Sequence, residues 1–190
     1  MAAIDRYDIH AHNHGDLLAS LLRVHPSVVL DEMFSGDEKA QRKGAQAFQD
    51  LLRFQTCPLD VVSDETLLEW CDRDPTVRYT LIAASATLFT RPANDQQHEW
   101  TPLALQLVAR APEPRAVFTE IARQLHPSSW SGSLATKLEF RLKLLEQLAL
   151  GDTPGITNAF NEAKSFLQKR IVAERKREAD DYRSRGRRFE

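Results

Sequence analysis

Three helix-start signals fall at one interval, and that interval constrains the fold more than any other feature of the chain. Pro26, Asp64 and Pro102 lie 38 residues apart in each step. Proline is well placed at a first helical position, because the amide it lacks would have no partner there. Ser63 and Asp64 open the middle helix without a proline, and Thr101 precedes Pro102. Each start predicts a helix of roughly ten residues, a break, and a second helix beginning near Asp37, Asp74 and Glu113. Gly36 suits the end of the helix before Asp37, and Asp74 is an N-cap candidate ahead of Pro75. A repeat of this length is the mark of stacked helix-turn-helix units. Apolar positions recur in register. Val29, Leu67 and Leu105 share one place in the unit, Met33, Cys71 and Ala109 another, and Ala45, Ala83 and Ile121 a third. A lone hairpin cannot cover its own apolar stripe, so neighbours stack and make the stripe continuous. Leu67, Leu105 and Ala83 are therefore expected to be buried between hairpins.

Beyond the third unit the pattern stays helical, as the prevalence of Leu, Ala, Glu, Lys, Arg and Gln favours. A loop at 126–132 leads to Ser133, a cap for an amphipathic helix carrying Leu134, Leu138, Leu142, Leu145 and Leu148. Trp130 is expected to pack back on the core, and Trp70 and Trp100 to anchor it, the alternative being that one is exposed as an interface hot spot. Gly151 to Gly155 breaks that helix. A last one starts near Ile156 and docks through Phe160, Ala163, Phe166, Leu167 and Ile171. Its apolar positions stop at Val172, so the rest should project into solvent, and truncation after Ala173 should leave stability almost intact. The expected fold is all-α: a right-handed stack of about four antiparallel helical hairpins with a protruding charged C-terminal helix. Its parts are a polar arm at 1–15, a hairpin domain at 16–172 and a charged tail at 173–190.

At Asp74-Pro75-Thr76-Val77-Arg78 the chain resembles a HEAT repeat, in which an Asp-Pro turn and a Val-Arg pair lead into the second helix. Gly36-Asp37-Glu38-Lys39 and Ala111-Pro112-Glu113-Pro114 are weaker versions of the same turn. The resemblance covers residues 26 to 125, and it implies an α-solenoid that binds other proteins. The latter part, with Trp130-Ser131-Gly132-Ser133, is similar to the ends of large uncharacterised bacterial helical proteins, a likeness that implies no activity.

The net charge of −2 argues against nucleic acid as a partner for the whole surface. The longest apolar run, Leu81 to Phe89, is too short to span a bilayer and contains Ser85 and Thr87. Met1 to Arg6 has no apolar leader core and already contains Asp5 and Arg6. The chain is read as cytoplasmic, with Cys57 and Cys71 as reduced thiols. One bridge between them stays open in an oxidising compartment.

The sharpest local pattern is Asp8-Ile9-His10-Ala11-His12-Asn13-His14. It resembles the metal-binding start of amidohydrolase-type barrels, in which alternate histidines on a strand share a divalent metal and Asp8 or Asp16 adds an oxygen ligand. Such barrels need about 250 residues and eight strands, so His10, His12 and His14 stand as weak metal candidates and no cofactor is assigned. His25, His98 and His126 read as turn residues. Ser128, Ser129, Ser131 and Gly132 lack the Gly-Lys-Ser/Thr of a phosphate loop and read as the approach to a helix. The strongest functional pointer is the basic end. Arg175, Lys176, Arg177, Arg183, Arg185, Arg187 and Arg188 could meet an acidic partner or a phosphate backbone. The competing reading is a solvated helix that frays, since no aromatic platform is interleaved. The expected role is a non-enzymatic protein-interaction or scaffold module, such as a terminal region of a larger bacterial assembly, with another protein as partner and no membrane. The alternatives are a metal-dependent hydrolase using the histidine cluster and nucleic-acid binding through the tail. The oligomeric state is left open.

Overall fold

The structure, a computed structural model, describes residues 14–54, 57–90, 98–127, 130–148 and 155–186. These form nine α-helices and no strand, so the fold is all-α among the described residues. None of the helices is long and apolar enough to cross a membrane. The chain divides into two compact units, Met1–Phe89 with Thr101–Ile121, and Thr90–Trp100 with Ala122–Glu190.

The first unit holds α1 (Gly15–Val24), α2 (Pro26–Met33), α3 (Glu38–Phe54), a 3₁₀ turn at Pro58–Val61, α4 (Asp64–Asp72), α5 (Pro75–Ser85), α6 (Pro102–Arg110) and most of α7 (Pro114–Gln124). Helices begin at Pro26, Asp64 and Pro102, as the interval predicts. Their chemistry explains the starts. Ser63 Oγ accepts from the Thr66 amide at 3.2 Å, and Thr101 Oγ1 from the Ala104 amide at 3.3 Å. Asp37 Oδ1 accepts from the Ala40 amide at 2.9 Å and so opens α3. Each bond satisfies an amide that the first helical turn leaves without a partner. Asp74 stands at the cap of α5, but its carboxylate takes the Thr76 hydroxyl instead of a helix amide.

Like helices lie on like helices in this unit. α2 and α6 pack on α4, α3 packs on α5, and α4 pairs with its neighbour α5. α1 covers the 3₁₀ turn and α2. The core centres on Phe34, whose ring lies 5.8 Å from that of Phe48 and 5.5 Å from that of Trp70. Trp70, Tyr79, Leu22, Leu30, Leu51 and Ile82 are buried in the same unit. Where α3 passes the end of α2, the Met33 carbonyl occupies the place a side chain at Gly44 would need.

Register holds in the second helices and slips in the first. Ala45, Ala83 and Ile121 are all buried, as are Leu67 and Cys71. Leu105, expected in the core, is 47 % exposed, and Ala109 is exposed with it. Val29 and Met33 are half-buried. α6 instead buries Leu103, Ala104, Leu107 and Val108, two residues earlier than expected and about 200° around the helix. The proline and its cap decide where α6 begins. Which face turns inward is a separate choice, and between Leu103 and Ala109 every residue except Gln106 is apolar. The sequence therefore offers either face to the core.

The second unit is organised by α8 (Leu134–Glu146) and α9 (Ile156–Gly186), which pack along one another. Ser133 Oγ accepts from the Thr136 amide at 3.1 Å and starts α8 as expected. Leu134, Leu138, Leu145 and Leu148 are buried and Leu142 is half-buried. They meet a stripe on α9 whose buried members are Ile156, Ala159, Leu167 and Ile171. The Trp100 indole N–H donates to the Leu144 carbonyl at 2.8 Å. Three expectations are corrected here. Trp130 is 44 % exposed instead of packed back on the core, and Phe166 is 52 % exposed instead of docked. The charged segment does not leave the body at 173. α9 continues without a break, and a polar side chain, Glu178, covers the start of α8.

Candidate interaction surface

The basic end of α9 is built from paired groups. Arg175 donates through Nε and Nη2 to Glu139 Oε1 on α8, at 2.8 and 2.6 Å. Glu178 accepts from Ser133 Oγ at 2.9 Å and from the Ala135 amide at 3.2 Å. The negative charge thus sits at the positive end of α8. Burial raises the Glu178 pKa, but the bonds from Ala135, Ser133 and Leu134 and the charge of Arg175 outweigh it and hold the carboxyl below 4.5. Further along, Arg177 pairs with Glu174 at 3.2 Å and Arg183 with Asp180 at 3.6 Å. Of the other predicted contact residues, Lys176 is exposed, Arg185 lies within α9, and Arg187 and Arg188 fall outside the described residues. Three of the seven basic candidates thus already face carboxylates, so counting charges overstates what this face offers a polyanion.

His126 sets its ring edge against Phe166, earlier on α9, with centroids 4.9 Å apart. Burial, and then the charge of Arg170, push its pKa below 6.5. Both causes favour the neutral form of the imidazole. The remaining turn histidines lie where they were expected. His25 separates α1 from α2, and a ring nitrogen of His98 lies against the Thr90 carbonyl.

The first unit carries a second polar constellation, one the sequence pattern had not assembled. Asp31 on α2 accepts from the Trp70 indole at 2.8 Å and pairs with Arg78 at 3.0 Å and Arg73 at 3.5 Å. The Arg78 guanidinium lies 4.2 Å from the centre of the Trp70 ring and donates to the Trp70 carbonyl. Stacking on the aromatic face and a carboxylate at its edge together hold it in one orientation. One step along, Asp72 on α4 accepts from the Tyr79 hydroxyl and from Arg110 on α6, both at 2.6 Å. The residues were visible in the sequence as a Val-Arg pair and as an Asp72–Arg110 separation of 38. That separation equals the interval of the helix starts, and it was the signal available for finding the contact.

The catalytic candidates are placed only in part. His10 and His12 fall outside the described residues, and His14 is exposed at the start of α1. Among the described residues no three His, Cys, Asp or Glu side chains are grouped to hold a metal ion. Cys57 and Cys71 are free and buried, and burial pushes both thiols up to about 12. A thiol so protonated at neutral pH is a poor nucleophile. Ser128 and Ser129 fall outside the described residues, and Ser131 is exposed. Compared with protein-family models, with curated proteins and with solved structures, the chain matches none.

Proposed function

We propose that the chain is a non-enzymatic protein-interaction or scaffold module, its hairpins stacked in the manner of a HEAT-like solenoid. The observation that carries this reading is the set of ion pairs that ties the hairpins together. It links Asp31 on α2 to Arg73 and Arg78, and Asp72 on α4 to Arg110 on α6. Exposed ion pairs stabilise little individually. Their value here is positional, since each ties one helix to another, and the Asp72–Arg110 pair does so at the repeat interval. The order α2, α4, α6, with α3 on α5, supports a stack of hairpins. Such stacks present successive helices side by side as an extended binding face. The step from fold to binding is an analogy of architecture.

The test is affinity capture with the intact chain, reconstitution of the complex from purified components, and amide exchange to map the contact. A stoichiometric complex that protects exposed residues of α2, α4 and α6 supports the proposal. Arg78→Ala should weaken that complex while helicity is retained. If no captured protein binds the purified chain, the proposal fails. A salt-dependent complex with DNA or RNA that maps to α9 would replace it with the nucleic-acid reading.

A further inference from the structure

α1 buries one face and leaves a second apolar face uncovered. Leu22 is buried, while Leu17, Leu21 and Val24 are 58, 45 and 67 % exposed. Their spacing, four residues and then three, places them along one side of the helix, the arrangement that makes a helix–helix seam. Val28 on α2, also exposed, extends the apolar edge in sequence. Three large aliphatics on one short helix are more than the scattered exposure usual on a surface.

We infer that this face is the seam of a homodimer, in which a second copy of the chain lays its α1 antiparallel on the first. Charge along the stripe selects that occupant. Asp16, Ser20 and Arg23 line one flank of the stripe, at i, i+4 and i+7. Asp16 and Arg23 are both exposed, and neither has an ion-pair partner among the described residues. In an antiparallel pair each flank meets its own copy. Asp16 then faces Arg23 of the second copy, and Arg23 faces Asp16 of the second copy. Leu17 meets Val24 across the two-fold axis and Leu21 meets Leu21. The same patch serves both partners, as a two-fold interface requires. A parallel pair would set this flank against the opposite side of the helix, where Leu22 is buried in its own body. The seam is one helix wide, smaller than a standard interface. The dimer is therefore concentration-dependent.

Light scattering on the intact chain across a dilution series tests the inference. The mass should rise from 21.6 kDa toward twice that value as concentration increases. Leu21→Glu should give the monomer throughout with an unchanged helical signal, and Val24→Ser should act the same way with a milder change. Asp16→Lys or Arg23→Glu alone sets like charges together and should weaken the dimer by at least about tenfold. The double variant D16K/R23E restores opposite charges and should restore the dimer. A wild-type monomer at every concentration overturns the inference, because the stripe then serves some other occupant. A dimer indifferent to Leu21→Glu, or one the double variant fails to rescue, overturns it equally.

Discussion

Removing Glu178 should loosen the start of a helix that lies 43 residues earlier in the chain. In Glu178→Ala the Ala135 amide and the Ser133 hydroxyl both lose an anionic acceptor. A hydrogen bond to a charged group contributes about 1.5–3 kcal/mol, and loss of an N-terminal cap about 1 kcal/mol. Ser133 still caps the Thr136 amide, and Glu178 is partly open to water. The lower part of that range therefore applies, about 1–2 kcal/mol. Truncation after Ala173 removes the same cap together with the Arg175–Glu139 pair, itself worth up to about 1 kcal/mol at the surface, so it should cost more than Glu178→Ala. This reverses the expectation drawn from the apolar pattern, in which everything past Val172 was dispensable. The effect has a pH signature. The folded carboxyl titrates below 4.5, so its contribution is present above that value and disappears as pH falls through the folded pKa. The wild type and Glu178→Ala should therefore converge in acid. Urea unfolding gives the magnitude, and amide exchange at Ala135 gives the location. If Glu178→Ala shifts stability by less than about 0.3 kcal/mol and leaves Ala135 protection unchanged, the long-range cap is not a stabilising contact.

Three further outcomes follow from the packing. Gly44→Ala should destabilise by about 1–3 kcal/mol, since the new methyl meets the Met33 carbonyl, a backbone group that cannot move aside without shifting α2; thermal unfolding measures it. Leu67→Ala should cost about 2–5 kcal/mol, whereas Leu105→Ala should stay within about 0.5 kcal/mol; equal losses in urea titrations would restore the unshifted register. Stability should fall as pH drops below 6.5, because the unfolded chain protonates His126 more readily than the folded one, and His126→Gln should flatten that slope in melts between neutral and mildly acidic pH.

The helix starts could be read from the chain because they are local. A proline at the first position, with Ser63, Thr101 or Asp37 ahead of the helix, acts through atoms within one turn. The interval between starts needed no tertiary information. For the same reason Leu134, Leu138 and Leu145 could be assigned to the buried face of α8, as one spacing marks one face. The candidate contact residues were legible as a count of charges and no further. Composition lists Arg175, Arg177 and Arg183 as free positive groups, and pairing depends on which carboxylates the fold brings near them.

The helical class, the positions where helices begin and the apolar stripe of α8 all rest on interactions within a few residues, and so were legible in the chain. Tertiary structure decided the rest. It selected the inner face of α6, where apolar residues on both sides left local preference neutral and packing against α4 settled the rotation. It left Trp130 and Phe166 partly in water. It brought Asp31 to Trp70 and Arg78, and Glu178 to the first turn of α8. Those contacts join groups tens of residues apart, and a chain's local pattern carries no term for a carboxylate that arrives from another helix. Charge acts through space once the fold has closed the distance, and only the three-dimensional arrangement states that distance.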